Sequence, residues 1–147
     1  MIQSIDTVSD TARDGLIELR FPATLDLVVL ARFTAATAAS RIGFDVAEIE
    51  DLRLAVDELC ISFAVIGNGF VQMEFRSRDD TVTVSCEFTP QSEMDPVETL
   101  ANGDVRPLLI EELSEHLLDV LVDEHGRGIR GGRPYAWLLK RRQIAGA

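Results

Sequence analysis

The chain has 147 residues, 46% of them hydrophobic, which fits one domain with a two-layer core. Its 14 Lys and Arg face 25 Asp and Glu, and the resulting charge of −11 repels a nucleic-acid backbone while suiting a basic protein partner. The opening MIQSIDTVSDTARDG lacks the apolar stretch of a signal peptide and no apolar run reaches the ~18 residues of a membrane span, so a cytoplasmic protein is expected.

Residues 1–14 read as a loose arm. Leu16-Ile17-Glu18-Leu19-Arg20-Phe21 mixes apolar residues with alternating charge, as a half-buried strand does, and Pro22 ends it. Thr24 is the expected N-cap of a helix over 25–40, with Leu27, Leu30, Ala31, Thr34 and Ala38 along one side; Phe33 and the many alanines allow close packing.

A helix over 45–66 carries the strongest local signals. Asp45 and Glu48 have capping-box spacing, and Gly67-Asn68-Gly69 offers a left-handed exit. Ile49, Leu52, Val56, Leu59, Cys60 and Phe63 form a core face. A second stripe, Asp51, Ala55, Glu58 and Ser62, sets one carboxylate and one hydroxyl a turn apart beside a small residue that leaves room. Such a stripe serves a pocket or is an ordinary solvated boundary.

Beyond Gly69 the period falls to two. Val71 to Arg76 alternates, Asp79-Asp80 turns, and Thr81 to Phe88 alternates again, giving a hairpin with one face on the helices. Residues 90–103, PQSEMDPVETLANG, read as a mobile loop. Pro107 opens a helix over 107–116 that turns Leu109, Ile110, Leu113 and Leu117 inward, and Leu118 to Asp123 reads as a strand. Gly126-Arg127-Gly128-Ile129-Arg130-Gly131 matches G-x-G-x-x-G. The following Pro134 to Leu139 looks extended, however, so the run is expected to be a flexible hairpin connection and no dinucleotide site. Lys140-Arg141-Arg142 reads as a solvated strand end. His116 and His125 lack zinc-site spacing and are expected at a helix end and in a turn, while Cys60 and Cys86 read as buried thiols.

DLRLAVDELC followed by Ile61-Ser62 resembles the N-box helix of the histidine-kinase-like ATPase superfamily, in its small anti-sigma-factor serine kinase branch. In that family the helix bears a glutamate base and, four residues on, an asparagine that holds magnesium. Glu58 matches the first role and Ser62 occupies the second position, as a residue that lacks the amide's carbonyl oxygen. The family's Asp-x-Gly box for adenine falls at Glu87-Phe88-Thr89-Pro90, and its glycine-rich phosphate turn at Gly103-Asp104-Val105-Arg106-Pro107. Glu87 and Thr89 replace the aspartate and glycine, Asp104 places negative charge near the phosphates, and Arg106 is the one obvious compensation.

The resemblance implies an α/β two-layer sandwich over 15–141, three main helices on one face of a mixed, mostly antiparallel sheet, between the N-terminal arm and a tail at 142–147. It implies an anti-sigma factor that sequesters a bacterial alternative sigma factor, with kinase activity weak or lost and no cofactor required. Two alternatives follow from the same likeness. One is an active ATP- and magnesium-dependent serine kinase of an anti-anti-sigma partner; the other is a regulatory interaction module without enzymatic activity. A homodimer is compatible with each.

Overall fold

The computed structural model describes residues 15–91 and 115–143. Five strands form one sheet: β1 (Leu16–Pro22), β2 (Gly69–Arg78), β3 (Thr81–Pro90), β4 (Glu124–Arg130) and β5 (Arg133–Arg141). Their spatial order is β1-β2-β3-β5-β4, and where a mixed, mostly antiparallel sheet was expected from sequence, every pairing among the described residues is antiparallel. Helices α1 (Val28–Arg41) and α2 (Val46–Ile66), with a shorter α3 at residues 115–121, belong to the same mixed α/β architecture, which is consistent with a histidine-kinase-like ATPase fold.

The core lies between this helical layer and one face of the sheet. Val71, Met73 and Phe75 of β2 and Val82, Val84, Cys86 and Phe88 of β3 are buried, while their sequence neighbours point to the other face. Leu52, Val56, Leu59, Cys60 and Phe63 of α2 cover them, whereas Ile49 is only partly buried. Burying each of the larger side chains contributes roughly 1.5–3 kcal/mol relative to exposure.

The start of α2 is built as its sequence demands. The Asp45 carboxylate accepts from Glu48 N at 2.8 Å, and the Glu48 carboxylate accepts from Asp45 N at 3.0 Å. Glu48 also accepts from Gln143 N at 2.6 Å, which joins the helix start to the chain just past β5. At the far end Gly67 and Asn68 take positive φ, and Gly69 enters β2 where a Cβ would stand 2.5 Å from the Phe88 ring.

The first helix departs from its expected phase. Thr24 is extended and makes no side-chain cap bond, a 3-10 turn spans Leu25–Leu27, and α1 then buries Val28, Ala31, Ala35, Ala38 and Ala39. Leu30 and Phe33 are left exposed, on the side of α1 away from this mainly alanine face. The alanine face still allows the predicted close packing. Buried Ser77 at the end of β2 donates to the Ala38 carbonyl and fixes α1 against the sheet.

Three expectations for the C-terminal third are corrected. Residues 115–121 are helical, so Leu118–Leu121 is no strand: Leu118, Leu121 and Val122 are buried at helical spacing while Val120 is exposed. The GRGIRG run is mostly strand β4, and the connection is the tight turn at Gly131-Gly132, both at positive φ. His125 therefore sits in a strand, where Nε2 meets Asp119 Oδ1 at 2.6 Å; His116 is exposed on α3. Leu109, Ile110 and Leu113, with most of the expected loop at 90–103, lie outside the described residues.

Candidate functional site

The second stripe of α2 stands at the edge of the core. Ala55 is buried, and Asp51, Glu58 and Ser62 are half-buried around it. Lys140 faces this side from β5, in step with buried Ala136 and Leu138. Its ammonium donates to the Leu121 carbonyl at the end of α3 at 2.8 Å and lies 3.8 Å from Asp51. Lys140 is thus no solvated strand end: its side chain is only 12% exposed, and the cation joins α2, α3 and β5. Strand alternation from Ala136 carried the signal for this placement.

On the flank toward α1, Asp57 pairs with Arg32 Nε at 2.9 Å. Burial pushes the Asp57 carboxyl up from its ordinary value; the neighbouring Glu58 adds to the rise, and Arg32 and Arg53 oppose it. Glu58 therefore shares its turn with another carboxylate. Four residues on, the Ser62 hydroxyl donates to the Leu59 carbonyl at 2.7 Å. That bond occupies its proton and leaves only oxygen lone pairs for any other partner.

The adenine-box residues lie elsewhere. Glu87 sits between buried Cys86 and Phe88 on β3, so it points to the sheet face opposite α2, as does Thr89. Arg133 reaches the Thr89 hydroxyl at 3.5 Å. On the helical face Phe88 stacks on Phe63 with ring centroids 6.4 Å apart and fills the space above Gly69. The structure brings Glu58 and Ser62 together and keeps Glu87 and Thr89 apart from them. Gly103, Asp104 and Arg106 lie outside the described residues. Among the described residues no cluster of three or more His, Cys, Asp or Glu has metal-holding geometry. A magnesium nucleotide spanning this set would meet one carboxylate and one hydroxyl on α2, with the base contact on the other side of the sheet.

The chain is similar to serine-protein kinase RsbW of Bacillus subtilis, 36% identical over 73 residues, or 46% of this chain and 46% of that protein. It is 47% identical over 45 residues to RsbW of Bacillus pumilus, or 31% of this chain and 28% of that protein. Over part of its length the chain is homologous to the RsbW-type kinases. Bacillus thuringiensis RsbW gives 41% identity over 44 residues. The chain matches less than half the length of these curated RsbW relatives. No protein-family profile matches it. No described helix is long and apolar enough to cross a membrane.

Proposed function

We propose that this chain is an anti-sigma factor of the RsbW type that holds an alternative sigma factor by direct protein binding, with phosphoryl transfer weak or lost. The observation that carries the reading is the partial homology to serine-protein kinases, and the geometry around Ser62 and Glu87 supports it. Glu58 occupies the base position, but its neighbour Ser62 is committed to the helix backbone and Glu87 faces away. Phosphoryl transfer depends on placing charge around metal and phosphates together, so one base without its companions gives little rate. Sequestration requires surface alone, and the net charge of −11 favours a basic sigma-factor region. An anti-anti-sigma protein would compete for the same hold.

The competing reading is an active ATP:protein serine kinase. If it is correct, Glu58 receives the proton of the incoming serine hydroxyl, and ATP and magnesium are required. Calorimetry with Mg-ATP, paired with a transfer assay on the antagonist recovered by copurification, separates the two. Absent or weak nucleotide binding with nucleotide-independent capture of a sigma factor is expected. Micromolar Mg-ATP binding with serine phosphorylation lost in Glu58→Gln would establish the kinase instead. Recovery of neither a sigma factor nor an antagonist would leave the non-enzymatic interaction module.

A further inference from the structure

Among the described residues the helices cover one face of the sheet, and strand alternation decides what the other face carries. It turns Arg20, Arg76, Arg78, Arg130, Arg133 and Arg141 to that open side, against the glutamates Glu18, Glu74, Glu87 and Glu124. The face is therefore cationic on a chain whose net charge is −11. It also holds the chain's one tryptophan and one tyrosine, since Trp137 and Tyr135 point outward from β5 beside Leu139. Trp, Tyr and Arg are the residues in which binding energy concentrates at protein interfaces.

The aromatic pair lies where the neighbouring strand has no side chains, for Trp137 is opposite Gly126 and Tyr135 is opposite Gly128. A Cβ at Gly126 would stand 2.7 Å from Trp137 Nε1, so the indole lies across β4 and turns its other face outward. Arg130 sits 5.0 Å from the centre of the Tyr135 ring. On the other side, β3 sets Ser85 opposite Trp137 and Thr83 opposite Leu139, a floor of short hydroxyls. Beyond that floor stand Arg76 and Arg78 of β2, both exposed, whose guanidinium groups have no hydrogen-bond or ion-pair partner among the described residues. Arg141, by contrast, is answered by Glu124 at 2.9 Å.

We propose that this face binds an acidic, extended peptide segment of another protein, with an apolar residue on Trp137 and Tyr135 and carboxylates on Arg76 and Arg78. Strands stand ~4.8 Å apart and two residues advance ~6.8 Å, so Trp137 and Arg76, two strands and one such step apart, are separated by roughly 12 Å, or about four extended residues. The apolar and acidic positions of the ligand therefore follow one another at that spacing. The polypeptide class follows from the charge pattern. Glu74 and Glu87 interrupt the arginines at the centre of the face, where a continuous phosphate backbone would meet them and a peptide can place neutral residues. Such a partner has the opposite charge to the basic region suited to the acidic body of the protein, so the two would occupy different surfaces.

Trp137 is the chain's one tryptophan, and its fluorescence reports occupancy of this face. The probe is a fluorescein-labelled, tryptophan-free peptide of ten residues, the length of β3, with a central leucine-proline pair, neutral serines around it and a pair of glutamates at each end. With the full chain, saturable binding by anisotropy and a matching change in Trp137 fluorescence are expected. Arg76→Glu/Arg78→Glu should weaken binding roughly ten-fold or more, with a melting temperature near that of wild type, because neither guanidinium holds a described partner in the fold. Tyr135→Ala keeps the reporter, removes part of the platform, and should weaken binding roughly five-fold or more. The Arg76→Glu/Arg78→Glu protein should instead take up a counterpart peptide with lysines for glutamates, which wild type should ignore. Absence of binding to the acidic peptide overturns the proposal, as does anisotropy without a change at Trp137. So does equal binding by the double variant, or equal binding of the lysine peptide by wild type. Tighter binding of a labelled oligothymidylate than of the acidic peptide overturns it in favour of single-stranded nucleic acid stacked on the same rings.

Discussion

Along α2, Leu52, Val56 and Leu59 vanish beneath the helix, while Asp51, Glu58 and Ser62 on an adjacent strip remain half-exposed. The first strip is held by many small contacts with Val71, Met73, Phe75, Val84 and their neighbours in one core. The second is held by a few directed ones, from Lys140 to Asp51 and Leu121 and from Ser62 to Leu59. The lesson of the contrast is that stability resides in the apolar strip, and the polar strip can change residue without unmaking the scaffold.

Truncating the apolar strip should have the largest effect. Leu59→Ala is expected to cost about 2–5 kcal/mol in urea unfolding, because the removed atoms leave a cavity under a helix that cannot collapse onto the sheet. Lys140→Met, which keeps the stem but removes the donor to Leu121, should cost about 1–3 kcal/mol by the same measurement. A Lys140→Met protein as damaged as Leu59→Ala would break the contrast, since a polar contact would then rival the core.

Asp57 sharpens it through pH. Its folded carboxyl titrates above the ordinary 3.8, so the folded state binds the proton more tightly than the unfolded chain. The stability this proton contributes is fully present below 3.8 and is lost as pH rises through the raised value. Asp57→Asn should remove that decline, so urea midpoints of the two proteins measured across this window should diverge in slope. Parallel curves would place the titration elsewhere. The smallest effect belongs to Ser62→Ala, less than about 0.5 kcal/mol, because the hydroxyl only returns a bond to its own helix.

The capping box of α2 was legible because Asp45 and Glu48 interact across three residues and need nothing distant. The β2–β3 hairpin was legible for a similar reason, its alternation being local and its turn marked by Asp79-Asp80. Residues 118–121 misled because leucine and valine suit either state, and only the burial of Leu118, Leu121 and Val122 shows the helical period. The phase of α1 misled because Leu30 and Phe33 look like core residues by size, while the face that packs is made mainly of alanines. Lys140 was misplaced because a terminal basic triplet looks solvated until the β5 register turns its first member inward. The separation of Glu87 from Glu58 was available in principle. Glu87 alternates with two residues whose apolar character assigns them to the core, and parity alone sends it to the other face.

Glu48 holds two distant parts of the chain at once, its own helix start and the backbone of Gln143, 95 residues further on. A carboxylate shared in this way makes the last turn of the fold a reporter on the first turn of α2. Opening the chain beyond β5 removes a ligand from the capping group, and fraying of the helix start removes the acceptor from Gln143. The amides of Glu48 and Gln143 should therefore exchange with solvent deuterium as one unit, and a bulky fusion placed directly after Gln143 should be felt at the beginning of α2.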